Sequence, residues 1–180
     1  MSRHDDHQIH IAMARSAQDT KPENWETTWG EFVHRISDHD VRACDVGDED
    51  DIKRAKNGEC FMQGPLLDMT AGKKASNMAS VSVVALDFDD LNAGQLNAVA
   101  TALSGFEYVM YSTFKHGLCA GVSRVRVVLP LLSAVDPAHF DALWTALHDL
   151  TGGLADHQTR NINRLNYLPA TFDAQHAFFH

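Results

Sequence analysis

The stretch Val81–Asp90, VSVVALDFDD, carries the decision about the fold. Its residues up to Phe88 are almost wholly apolar and rich in β-branched side chains, the composition of a central strand covered on both faces. Acids appear only at its end. Side chains alternate along a strand, so Asp87 and Asp89 share one face, roughly 7 Å apart. Two carboxylates so placed repel each other and raise each other's pKa unless a hard divalent cation neutralises them, which points to Mg²⁺ or Mn²⁺. Asp90 suits the plainer role of capping the next helix.

Working outward, Ala93–Leu103 reads as a helix opened by Asn92 and Gly94, with Leu96, Val99, Ala100 and Leu103 on one face and Gly105 closing it. Tyr108–Thr113 is the next strand. Arg124–Leu131, RVRVVLPL, is a third, with Arg124 and Arg126 on one face and Val125 and Val127 on the other; Pro130 is expected to end it. Asp136–Leu150 is a helix with Pro137 in its first turn and Phe140, Leu143, Trp144, Leu147 and Leu150 inward, and a short strand follows at Arg164–Leu168. Upstream, Gln8–Met13 and Cys60–Gln63 read as short strands. Trp25, Trp29, Phe32, Val33 and Ile36 after Pro22 form the stripe of an amphipathic helix with both tryptophans in the core. Hairpin-like and crossover connections alternate. The expected fold is a single α+β domain over 1–180, with a mixed, mainly antiparallel central sheet flanked by helices.

Composition narrows the function classes. The 180 residues include 15 Lys+Arg against 24 Asp+Glu, net −9, with 44% hydrophobic residues, enough for a packed core. Residues 1–105 carry net −8 and residues 106–180 only net −1. Such a chain is not a constitutive high-affinity duplex binder, because phosphate contacts require local positive charge. No apolar run approaches a membrane span and the polar start MSRHDDHQIH lacks a signal core, so a cytoplasmic location is expected. Cys44, Cys60 and Cys119 lack metal-ligand or disulfide spacing and read as three buried thiols. The acidic run Asp45, Asp48, Glu49, Asp50, Asp51 lacks a calcium-loop pattern and reads as a solvated loop or helix start.

Two further clusters sit at strand ends. YSTFKHGL, Tyr111–Leu118, brings hydroxyls, Lys115 and His116 together, a point charge and a tunable ring suited to a phosphate. LADHQTRNINRLNYLP, Leu154–Pro169, offers a third carboxylate, Asp156, with Arg160 and Arg164, which either grip phosphates or pair with surface acids.

Taken in order, LDFD at Leu86–Asp89, YSTFKH, RVRVVLPL, and Asp156 followed by RLNYLP at Arg164–Pro169 resemble the catalytic domain of the archaeo-eukaryotic primase, or primase-polymerase, superfamily. The likeness is to its phage and plasmid replication branch and spans about residues 60–170; the lysine loop Lys73-Lys74 is similar too. The resemblance implies an RRM-like core and nucleotidyl transfer, a DNA primase or polymerase working on single-stranded DNA with nucleoside triphosphates, in company with a replicative helicase. It implies Asp87, Asp89 and Asp156 as ligands of catalytic Mg²⁺ or Mn²⁺, and His116, with Lys115, at the nucleotide phosphates. Arg124, Arg126 and Arg164 would contact nucleotide or template. The chain departs from the family at its histidine motif, where Phe114 stands in place of a small residue.

Two rivals share parts of this pattern. A haloacid-dehalogenase-like phosphatase also starts from a strand and D-x-D, with the first Asp as nucleophile, but here 86 residues precede Asp87 and Asp90-Leu91 follow the motif. A catalytically inactive replication-initiator or partner-binding module would keep the fold without the chemistry.

Overall fold

A computed structural model describes residues 5–180. Its order is β1 (Gln8–Ala14), β2 (Glu23–Thr28), α1 (Trp29–Ile36), β3 (Asp40–Val41), α2 (Glu49–Lys56), β4 (Cys60–Met62), β5 (Val81–Leu91), α3 (Ala93–Ala102), β6 (Val109–Ser112), β7 (Ser123–Val135), α4 (Phe140–Leu150), β8 (Asn166–Tyr167) and β9 (Ala170–Thr171). The α+β class with mainly antiparallel strands is what the sequence predicts. The expected single sheet is in fact divided: β5-β7-β6 and β2-β1-β4-β8 are separate antiparallel sheets, and β3-β9 is a small parallel ribbon.

Gln63 joins the two larger sheets. Its carbonyl accepts from the amides of Ser82 and Val83, and its side-chain oxygen accepts from Ala85 at 2.8 Å, so one buried amide continues the ladder where β4 stops. The backbones approach so closely beside it that a Cβ on Gly64 would lie 1.7 Å from the Ser80 carbonyl oxygen.

β5 is buried on both faces, as its composition requires. Leu86, Phe88, Val125, Val127 and Leu129 pack under α3 and α4 with Val99, Phe140 and Trp144. Val83, Ala85, Val109, Tyr111 and Val128 on the opposite face meet Ile9, Ile11, Trp29, Phe32, Ile36 and Phe61. Asp87, Arg126 and Tyr111 fall on this second face by alternation, which places them at its open end.

The helix expected after Pro22 divides into a strand and a helix. Trp25 lies in β2 opposite Ile11 and is only half-buried, whereas Trp29 is fully buried at the start of α1. Thr28 is the reason. Its hydroxyl accepts from the Glu31 amide and the Glu31 carboxylate accepts from the Thr28 amide, both at 3.1 Å, a reciprocal cap that fixes where the helix begins. Thr28→Ala is therefore expected to lower stability by about 1 kcal/mol in urea unfolding; an unchanged midpoint would show that the cap is redundant.

β7 runs past Pro130 to Val135. The proline sits where the register with β5 shifts, between the Val83↔Pro130 and Val81↔Val135 pairs, so its missing N–H falls at an irregularity and does not end the strand. Leu150 is exposed rather than inward, and β8 is shorter than expected. Of the cysteines only Cys60 is buried; Cys44 is intermediate and Cys119 exposed. The acidic run is a helix start: Asp48 caps α2 by accepting from Asp50 and Asp51 amides. No helix among the described residues is long and apolar enough to cross a membrane.

Candidate active site

At the open end of the β5-β7-β6 sheet lies a cleft of about 280 Å³, lined by Lys56, Asp87, Asp89, Tyr111, Lys115, Arg124, Arg126, Asp156, Arg164 and Tyr167 among others. Seven of the eight residues singled out in the sequence meet there. Its lining holds five of the chain's 15 basic residues against three acids, a net positive patch on a −9 protein. A larger pocket of about 350 Å³ elsewhere is lined by Arg15, Asp19, Arg35 and Glu59, but its charges are spent on each other, Arg15 with Asp19 and Arg35 with Glu59.

The floor is a buried ion pair. Asp87 stands directly opposite Arg126 in the β5–β7 register, with Tyr111 on Arg126's other side. Arg126 Nε donates to one Asp87 oxygen at 2.5 Å and Nη2 to the other at 2.8 Å, while Nη1 donates to the Tyr167 carbonyl at 2.8 Å. Only 6% of Asp87 and 5% of Arg126 is exposed. Burial by itself pushes the Asp87 carboxyl up, but Arg126, helped by Arg164 and Lys56, holds it below the ordinary carboxylate value. Arg126 is likewise kept charged, since Asp87 outweighs its desolvation.

Beyond Phe88 the strand bulges. Phe88 pairs with Val125 and Leu91 with Ser123, so two residues of β5 face one of β7, and Asp90 takes a left-handed φ of 62°. Asp90 does not cap α3, a role Asn92 fills; it binds Arg124 at 2.5 Å. Asp89 remains in the cleft with no ion pair or hydrogen bond among the described residues. Burial, then Asp87 and Asp156, raises its carboxyl pKa above the ordinary value, with Arg124 only partly opposing.

Asp156 arrives from the segment after α4. Its amide donates to the Asp87 carbonyl at 2.8 Å, which docks that segment on the end of β5, and its side chain caps a 3₁₀ turn by accepting from Gln158. Arg164 stands between the acids, 3.6 Å from Asp87 and 3.9 Å from Asp156. Among the described residues no three His, Cys, Asp or Glu side chains are grouped closely enough to hold a metal ion. The expected triad shares one cleft, but Arg126 already occupies its first member.

A match over the whole chain decides the family: the VapE N-terminal domain pattern fits residues 1–180. The chain belongs to the VapE N-terminal domain family. No curated protein matches it. Among solved structures it is similar to the AEP domain of the cyanophage S-2L primase-polymerase, with 15% identity and a TM-score of 0.48 over 96% of this chain and 80% of that one.

The remaining expected residues of this VapE N-terminal domain fall in different places. Lys115 lines the cleft, but His116 does not: its Nδ1 accepts from the Arg124 amide at 3.1 Å. Burial, then His176 and His39, lowers its pKa and favours the neutral ring that this bond needs. Arg160 pairs with Asp141 on the surface of α4. Lys73 is a strut, donating to the Ala17 and Asp19 carbonyls at 2.8 and 2.6 Å. The sequence reading missed Lys56 and Tyr167. Tyr167 lay inside the quoted RLNYLP block, whereas Lys56 ends a helix with no motif around it.

Proposed function

We propose that this domain is a metal-dependent nucleotidyltransferase that makes or extends primers on single-stranded DNA from nucleoside triphosphates, the reading the sequence resemblance implies. One observation carries it: acids from two segments and cations from four meet in a single cleft whose charge is opposite to that of the chain as a whole. Asp89 and Asp156 fit a hard divalent cation, because their mutual repulsion is what such an ion relieves. Asp87 is engaged by Arg126, so Asp89 and Asp156 are the carboxylates that would hold Mg²⁺ or Mn²⁺. Held there, such an ion would supply Lewis-acid activation of a primer 3′-hydroxyl and charge to offset that of the transferring phosphoryl group.

The chain's own groups then position the substrates. Arg164, 3.6 Å from Asp87 and 3.9 Å from Asp156, is placed to meet an incoming phosphate, and Arg124 flanks the acids. Arg126 is a positioning residue that fixes Asp87 and the Tyr167 backbone. His116 acts one step back, holding the Arg124 amide. An aspartyl-phosphate mechanism fits poorly, since a nucleophilic Asp87 would have to leave a two-pronged arginine grip.

Incubation with a single-stranded template, labelled nucleotides and Mg²⁺ or Mn²⁺ is expected to yield primers or extended primers on a gel. No incorporation with either metal would reject the catalytic reading. The alternative, a strand-binding module without chemistry, is favoured by the locked Asp87; it requires salt-dependent binding of single strands with no incorporation.

A further inference from the structure

We propose that Lys56 and Lys115 form a dedicated polyphosphate subsite of the cleft, for the β- and γ-phosphates of a nucleoside triphosphate. This rests on the nucleotide reading above and adds a residue that no motif marks.

Lys56 is the last residue of α2. Its two basic neighbours on that helix are satisfied locally, Lys53 by Asp50 and Arg54 by Asp51, each three residues back. Three and four residues before Lys56 stand Lys53 and buried Ile52, so the helix offers it no acid. Among the described residues it makes no ion pair or hydrogen bond; its ammonium rests 5.4 Å from the centre of the Tyr167 ring. Lys115 is unpaired in the same sense.

The charged groups around Lys56 are Arg126, Lys115, Arg164 and one acid, Asp87, itself held by Arg126. Burial and those cations depress its pKa. The groups acting on Asp89 are Asp87, Arg124, Asp156 and Asp90. Asp89, with Asp87, Asp156 and Asp90 acting on it, marks the acid side of the cleft, and the unpaired Lys56 and Lys115 line the same cleft. A helix C-terminus and a tyrosine ring give a lysine only modest support. Neither explains gathering two unpaired lysines, Lys56 and Lys115, in one cleft that already holds Arg124, Arg126 and Arg164. A multiply charged anion does, and lysine's compact charge on a flexible stem suits terminal phosphates whose orientation changes.

The test uses the full chain and inorganic tripolyphosphate with a chelator, so that binding depends on neither metal nor turnover. Calorimetry is expected to show binding by the parent, weakened about tenfold or more in Lys56→Gln. Lys56→Arg should stay close to the parent and Lys53→Gln should match it. In the parent, the Lys56 side-chain NMR signals are expected to move on titration, a readout that survives any folding defect in the glutamine variant. Equal affinity in parent and Lys56→Gln, immobile Lys56 signals, or no binding by the parent would each overturn the subsite. Its failure is distinct from failure of the catalytic reading. A parent that binds tripolyphosphate through Lys56 yet incorporates no nucleotide keeps the subsite and loses the polymerase. A parent that polymerises with the same nucleotide KM as Lys56→Gln does the reverse.

Discussion

Arg126→Ala is expected to destabilise the domain by about 3–5 kcal/mol, because it leaves the Asp87 carboxylate buried without its counter-charge. Asp87→Ala should cost a similar amount for the mirror reason, even though Arg126 retains its bond to the Tyr167 carbonyl. The double replacement Asp87→Leu/Arg126→Met should recover most of the loss, since a well-packed apolar pair avoids desolvating two ions. A double-mutant cycle from urea unfolding measures the coupling. Additive losses would mean that the two groups do not depend on each other.

The same pair predicts an acid limb in the stability profile. The folded pKa of Asp87 lies below its unfolded value of 3.8, so its contribution is complete above that value and is lost as pH falls through the lower folded one. The double variant should lack this limb. Incorporation by the double variant also asks whether Asp87 acts on substrate or only holds the floor.

What the sequence disclosed followed from how local each signal is. The apolar run before Asp87 identified a two-faced strand because burial on both sides leaves a direct trace in composition, and alternation within β7 put Arg124 and Arg126 on one face. The start of α3 was readable at Asn92 for the same reason, although the capping role read for Asp90 falls to Asn92 itself. Trp25 misled because its spacing to Trp29 fits a helix, while the Thr28–Glu31 cap that starts the helix later depends on a reciprocal bond that periodicity does not register. The Asp87–Arg126 grip was hidden because it needs the β5–β7 register, a pairing across 39 residues. The bulge at Asp89 and Asp90 was hidden too: a run of three aspartate-rich positions looks the same whether or not one of them turns left-handed. Lys56 reaches the cleft only through the tertiary placement of α2, so no window of sequence around it could have marked it.

Asp89→Asn is expected to separate stability from function. Asp89 is exposed at the mouth of the cleft, but partial desolvation and the Asp87, Asp156 and Asp90 carboxylates disfavour its charge, so removing that charge should raise the thermal midpoint, or at least not lower it. The sign follows from linkage. With a folded pKa above the unfolded one, the proton-bound form favours folding, and that benefit fades as pH rises through the folded value; a neutral amide keeps it at every pH. Activity should move the other way. If Asp89 and Asp156 hold the catalytic cation, losing one anionic ligand should reduce nucleotide incorporation by about 10²–10³-fold, the scale of a lost transition-state charge contact. Melting curves and primer-extension rates on the same preparation decide between the two roles. A variant that melts higher and does not extend primers carries the signature of a functional acid kept at a cost to the fold. A variant that extends primers at the parent rate would place the reaction elsewhere, and the acid side of the cleft would then be left with Asp156 and the Arg126-bound Asp87, too few free carboxylates to hold the ion the chemistry requires.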